Sequence, residues 1–289
     1  MTPGRTKITV PDALADGSKL QGVSATALWT LRNRAVEASR PDALIEDPWA
    51  IRLYEAISYD WDKFGQPSQS HALRARAFDK AVSTYLKRHP VATVVALGEG
   101  LQTTYWRLGR KDADWITVDL DPVIDLRAEL LPKEPGMSAL RMSALDREWL
   151  DHVDADHGVF ICAEGLFMYL SRAEIVALIA DCAKRFPGGQ MIFDSIHPEF
   201  SERTMQGVKM SDRYTMPPMP FSLTVSQALR LRHEIPGVIR ARDVMMPPGR
   251  GRMWKLRSLR PYASSPWVRN ERPSITLLTF AGRPAHESR

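Results

Sequence analysis

From Thr93 to Asp194 the chain switches repeatedly between short apolar runs and longer stretches with helical spacing. The runs are TVVAL at 93–97, WITVDL at 115–120, GVFICA at 158–163 and QMIFD at 190–194. Each has strand length, and each is too continuously apolar for a strand with one wet face. Helical character fills 101–108, 122–131 and 173–186, the last closed by Pro187-Gly188-Gly189. Strands alternating with helices in this way predict βαβ units, a mostly parallel sheet covered on both faces, and a doubly wound α/β fold. A weaker apolar stretch lies at 139–145, and ITLLTF at 275–280 is expected to be the final strand.

The flanks read differently. Ala27, Leu28, Leu31, Ala35 and Val36 have helical spacing up to Pro41, and Asp47-Pro48 is the signature of an N-cap followed by a first-turn proline. Residues 71–88 give another helix, so 1–90 is expected to form a helical cap over the carboxyl ends of the sheet. Residues 91–199 then form the core that carries the site. Residues 200–255, rich in Met, Pro and Arg, read as a substrate-side insertion, and 256–289 as the final sheet elements, all within a single domain.

With 289 residues, 44% of them hydrophobic, the chain can bury a core of that size. It has no run of 18 apolar residues and no signal-peptide pattern at its start, so the cytoplasm is expected and a membrane partner is not. Cys162 and Cys182 lack metal-ligand spacing and are expected to be small buried apolar residues; no metal is called for. The net charge of +5 conceals an asymmetry, because 201–289 carries 14 Arg and 2 Lys against 6 acidic residues. A basic third can serve nucleic acid or an acidic substrate. These arginines never form a run and no binding module accompanies them, so a solvated surface is favoured over a nucleic-acid partner.

In open parallel sheets ligands bind beyond the carboxyl ends of the strands, near the point where strand order reverses. At the first such end, Gly98 and Gly100 allow close backbone approach to a ligand. A dinucleotide fingerprint needs a third glycine where Thr103 stands, and no lysine completes a phosphate loop. A nicotinamide-dependent oxidoreductase therefore loses ground. Asp119, about 20 residues on at the end of the second strand, is placed to accept both hydroxyls of a ribose. That combination fits a nucleoside without phosphates.

The motifs TALWTLRNRAVEASRPDALIEDPWA (26–50), LRARAFD (73–79), VVALGEGLQTTYWRL (94–108), TVDLDPV (117–123), SALDREW (143–149) and AEGLFMYL (163–170) occur in order. Together they resemble the leucine carboxyl methyltransferase superfamily, in its bacterial polyketide-synthesis O-methyltransferase branch. The resemblance implies a Rossmann-like sheet, S-adenosyl-L-methionine as cofactor and a small-molecule acceptor methylated on a carboxylate or hydroxyl. Methylation of a protein C-terminus is the less favoured alternative. It also implies that Arg74 clamps the cofactor carboxylate, with Arg76 as the alternative, the other arginine pairing with an acid such as Asp79. Gly98 and Gly100 would border the methionyl part, Asp119 hold the ribose, Leu120 pack on the adenine, and Ser143, Ala144 and Leu145 line the adenine edge. Glu164 would balance the ammonium or sulfonium. The chain departs from the common pattern in having Glu99 where alanine is usual, Gln102 where many members have Asp, and Ser143 where an Asp is frequent.

Methyl transfer needs positioning and exclusion of water, and a base only for a hydroxyl acceptor. Asp194 and His197 are the candidate bases at a strand end, and Tyr169 a candidate for shaping the acceptor side. Met205, Met210, Met216, Met219, Phe221 and Trp254 are expected to form an adaptable wall around an apolar acceptor.

Overall fold

The structure, a computed structural model, describes residues 14–109, 112–252, 254–255 and 265–282. Its centre is a seven-stranded sheet. In chain order the strands are β1 Thr93–Leu97, β2 Asp114–Asp119, β3 Met137–Arg141, β4 Val159–Ala163, β5 Gln190–Ser195, β6 Val238–Asp243 and β7 Ser274–Phe280. Their spatial order is β3-β2-β1-β4-β5-β7-β6, and only β7 runs antiparallel to its neighbours. The order reverses between β1 and β4, which places the expected ligand crevice beyond Leu97 and Ala163.

Every residue of β1 and β4 is buried, as their unbroken apolar sequences demand. Alternate side chains divide between two cores. Val95, Leu97 and Ile161 face α6 (Arg172–Arg185) and α8 (Val225–Glu234) through Ile175, Leu178, Ile179, Ala228 and Leu231. Val94, Ala96 and Phe160 face α3 (Ser70–Leu86) through Phe78, Val82, Tyr85 and Leu86. A third core joins α1 (Thr26–Ala38), α2 (Pro48–Ala56) and α5 (Asp121–Leu130). Cys162 and Cys182 are buried and free.

Three expectations change. First, α3 is not wholly a cap, because its apolar stripe covers one face of the sheet, and only its first turns reach the carboxyl ends of the strands. Second, the helix expected from Leu101 begins at Thr104 (α4, Thr104–Leu108), because Gly98 and Gly100 adopt φ of +58° and +57° and the chain stays in a turn until Thr103. Third, 200–255 is not one irregular insertion. After α7 (Pro198–Met205) and a short hairpin pairing 209–211 with 214–215, the chain returns to the sheet as α8 and β6. Helix α8 starts at a full capping box, Thr224 with Gln227, and buries Val225, Ala228 and Leu231.

Candidate functional site

A cavity of about 250 Å³ opens at the carboxyl ends of β1, β2 and β4. Arg74, Gly98, Gly100, Asp119, Leu120, Ser143, Ala144, Leu145, Glu164 and Tyr169, expected from the sequence, all line it. Helix α1 supplies part of the rim through Thr26, Ala27 and Thr30. The N-terminal helices therefore do close over the strand ends, with Ala27 so near the glycine turn that a Cβ on Gly100 would lie 3.1 Å from its Cβ.

Asp119 ends β2 with both carboxylate oxygens turned to backbone. Oδ2 accepts from the Gly100 amide at 2.7 Å and Oδ1 from the Leu120 amide at 2.8 Å. A carboxylate has about four lone-pair positions, so each oxygen keeps capacity for a hydroxyl donor. Burial raises its pKa, while the two amides and Arg127 hold it back. Leu120 is 47% exposed, an apolar surface left facing the cavity. Beside it the Ser143 hydroxyl is engaged by the Leu145 amide at 3.1 Å. Asp146, the nearest acid, lies on the surface and accepts from the Glu148 amide, so it takes no part in the cavity.

At the other end Arg74 meets two carboxylates. Its Nε donates to Glu164 Oε1 at 2.9 Å and its Nη1 to Asp194 Oδ2 at 3.1 Å. Burial opposes its charge, but Asp194 and Glu164 outweigh burial and its pKa is raised. Nη2 borders Gly165, where an added Cβ would come within 3.1 Å of it. The bidentate clamp expected here is thus reduced to the edge that Nη2 presents. Arg76 points to solvent, and Asp79 pairs with Arg107 rather than with Arg76.

Glu164 is held by Arg74 and by Gln102 Nε2 at 2.8 Å. Burial raises its pKa, with Arg74 opposing. Asp194 is buried and is not among the residues lining the cavity; its Oδ1 accepts from the Gly165 amide at 2.6 Å while Oδ2 holds Arg74. It braces the turn after β4 and does not act as a free base. His197 is not among the residues lining the cavity. It caps α7, and its Nδ1 accepts from the Glu199 amide at 3.3 Å.

Tyr169 lines the cavity and packs against a cluster of Met168, Met216 and Met219. Trp29, Phe200, Met210 and Tyr214 complete that cluster. Burial raises the Tyr169 pKa, against a hydrogen bond with Thr26. Of the expected wall, Met210, Met216 and Met219 join this cluster, and none of the three lines the cavity. Met205 points to solvent and Phe221 belongs to the core under α6 and α8.

Sequence reasoning did not assign Gln102 a role. It is buried, lines the cavity, and among the described residues its Oε1 has no partner. This orphaned acceptor beside Glu164 suits a cationic group. The glycine turn supplies a second fit, because a Cβ on Gly98 would come within 2.9 Å of Leu166, so the backbone stays bare at the cavity floor. A ribose-hydroxyl acceptor, an exposed apolar side chain, a cation for a carboxylate and acceptors for an ammonium are together the donor set that S-adenosyl-L-methionine requires. Among the described residues no group of His, Cys, Asp and Glu is arranged to hold a metal, and no helix is long and apolar enough to cross a membrane.

Comparison with known proteins identifies the family. The leucine carboxyl methyltransferase family model matches residues 27–183. The tetracenomycin polyketide synthesis O-methyltransferase TcmP of Streptomyces glaucescens is 29% identical over 224 residues, covering 76% of this chain and 82% of that protein. The S-adenosyl-L-methionine-dependent methyltransferase dpfgK of Gibberella zeae is 28% identical over 199 residues, covering 61% and 67%. Among solved structures, a Thermobifida fusca protein described as a methyltransferase superposes with a TM-score of 0.54 at 15% identity, over 88% of this chain and 94% of that one. A DUF574 family protein from Streptomyces avermitilis gives 0.53 at 16%, over 87% and 97%. These two likenesses show the fold.

Proposed function

The chain belongs to the leucine carboxyl methyltransferase family and is an S-adenosyl-L-methionine-dependent methyltransferase, and from that premise we propose that it methylates a carboxylate or hydroxyl oxygen of a small, largely apolar acceptor of the polyketide kind. The observation that carries this reading is the double membership of Tyr169. It lines the cavity and also packs against the methionine and aromatic cluster around Met216 and Met219. Thioether side chains repack readily around apolar ligands, which suits an acceptor site that adjoins the cofactor cavity. The name of the tetracenomycin relative supports the same class of acceptor.

In this assignment Asp119 holds the ribose hydroxyls, Leu120 covers the adenine, Arg74 receives the carboxylate on Nη2, and Glu164 with Gln102 Oε1 faces the ammonium. The bound cofactor supplies a methyl group activated on a sulfonium. The protein's own contribution is geometric. Gly98 and Gly100 bring backbone close, α1 and the turn at Glu164-Gly165 exclude water, and Tyr169, kept neutral by burial, orients the acceptor oxygen. A carboxylate acceptor is ionised at neutral pH and needs no base. His197, turned to its own helix, stays outside this scheme.

Methyl-labelled S-adenosyl-L-methionine tests the reading against three acceptor sets: aromatic polyketide phenols with their carboxylic acids, peptides ending in a free carboxylate, and RNA. Label is expected in the first set. Transfer to peptides or RNA alone overturns the proposal while leaving the cofactor assignment intact.

A further inference from the structure

Gly100 is held at both of the peptide groups that flank its Cα. Its N–H donates to Asp119 Oδ2, and its carbonyl accepts from Arg127 Nη1 at 2.8 Å. The same guanidinium nitrogen donates to the Gln102 carbonyl, also at 2.8 Å. Arg127 comes from α5, is 6% exposed and does not line the cavity. Its Nη2 lies 3.0 Å from Glu99 Oε2, close enough for an ion pair though not aligned as a hydrogen bond. Glu99 in turn accepts from Trp115 Nε1 at 3.2 Å and from the Thr117 hydroxyl. A chain of polar contacts therefore runs from the floor of β2 through Glu99 and Arg127 to Gly100, and returns to β2 at Asp119.

This arrangement answers a problem that the turn itself creates. Gly98 and Gly100 both take positive φ, and glycine backbones have the widest conformational freedom to lose. Without an anchor on its carbonyl Gly100 is free to change φ and ψ, and its N–H then no longer fixes the direction of the Asp119 carboxylate. A buried ion pair contributes little net stability over apolar residues of similar size. The distinctive contribution of Arg127 is the pair of bonds to two turn carbonyls, those of Gly100 and Gln102.

We propose that Arg127 is a positioning residue for the cofactor's ribose: it fixes the backbone at Gly100 through the carbonyl, the Gly100 N–H thereby orients the Asp119 carboxylate, and Glu99 holds the guanidinium for that task. The inference rests on the assignment of Asp119 to the ribose.

The experiment is a double-mutant cycle read by calorimetric binding of S-adenosylhomocysteine, with a thermal midpoint for every variant. Asp119→Ala is expected to weaken binding about 30-fold and Arg127→Met about 10-fold, while the double variant binds no more weakly than Asp119→Ala alone. An orienting residue has nothing to orient once the carboxylate is gone. Losses that multiply to about 300-fold, or Arg127→Met with wild-type affinity, overturn the role of Arg127 and leave the ribose assignment standing. Wild-type affinity in Asp119→Ala overturns both. If Arg127→Met does not fold, Arg127→Lys takes its place in the cycle, keeping the charge beside Glu99 but reaching one carbonyl. Its expected loss is about 3-fold, again absent in the Asp119→Ala background.

Discussion

Arg74 Nε donates to Glu164 Oε1 at 2.9 Å, so the cation at the head of the cavity is engaged by the protein before any ligand arrives. Asp194 takes a second edge at 3.1 Å. Structure and ligand recognition are therefore coupled in one side chain. Arg74→Met leaves Glu164 and Asp194 buried without their counter-charge and is expected to cost about 3–5 kcal/mol of unfolding free energy. Arg74→Lys retains the charge and should lose less than about 1.5 kcal/mol, yet weaken S-adenosylhomocysteine about 10-fold, because an ammonium cannot serve both carboxylates and a ligand. Urea unfolding and calorimetry separate the two effects. Wild-type affinity in Arg74→Lys would remove the cofactor carboxylate from this position.

Gly165 sits where that guanidinium needs room. It has φ of +70°, and an added Cβ would lie 3.1 Å from Arg74 Nη2. Gly188 has φ of +80° with nothing within 4 Å of an added Cβ. Both Gly→Ala changes carry backbone strain of about 1–2 kcal/mol. Only Gly165→Ala also pushes on Arg74, the proposed partner of the cofactor's carboxylate, so it alone should weaken S-adenosylhomocysteine, by about 5-fold or more. Equal affinities for the two alanine variants would sever Gly165 from the site.

The βαβ core was legible because β1 and β4 are buried on both faces, which writes TVVAL and VFICA as continuous apolar runs. Residues at the strand ends followed from that. The return of the chain to the sheet was hidden for the opposite reason. Strand β6 is an edge strand that buries Val238 and Ala241 but exposes Ile239, Arg240 and Arg242, with a register shift between Val238 and Arg240. Helix α8 buries only three of its ten residues. Neither presents the periodicity that a fully covered element shows. Asp47 was readable as an N-cap from Asp-Pro, and it does accept from the Ala50 amide. That the same carboxylate would meet Arg34 and Arg107 depends on separations of 13 and 60 residues, which no local pattern encodes. The pairing of Arg127 with Glu99 was opaque in the same way.

His71 predicts an acid-sensitive fold. It packs edge-on to Trp29 with ring centroids 4.8 Å apart, and its Nδ1 is buried without a partner. Burial, then the charges of Arg74 and Arg34, hold its pKa well below the ordinary value of 6.5. Between the folded pKa and 6.5 the unfolded chain binds the proton and the folded chain does not. Stability is therefore lost as pH falls below that value, by at most about 1.4 kcal/mol per pH unit from this group. His71→Gln lacks the titration. The urea midpoint of the wild type should fall relative to that of His71→Gln between about pH 7.5 and pH 5.5, and parallel pH profiles would show that folding does not lower the pKa of this imidazole.

Behind the glycine turn, Asp47 Oδ2 accepts from Arg34 Nη1 at 2.6 Å and Arg107 Nη1 at 2.8 Å, and Oδ1 from the Thr103 hydroxyl at 2.6 Å. Arg34 is fully buried, and its Nη2 donates to the Leu101 carbonyl at 2.6 Å. Arg107 has a second carboxylate in Asp79, whereas among the described residues the only ion pair of Arg34 is with Asp47. Asp47→Asn preserves the shape and an acceptor for the helix cap but strands the Arg34 charge, and should cost about 3–5 kcal/mol. Adding Arg34→Met removes the stranded charge and should recover about 1–2 kcal/mol of that loss, since an apolar group of similar length fills the space without needing a counter-ion. Recovery measured by urea unfolding identifies the charge itself as the source of the instability. A double variant less stable than Asp47→Asn would instead show that the bond from Arg34 to the Leu101 carbonyl, not charge balance, is what α1 contributes to the turn.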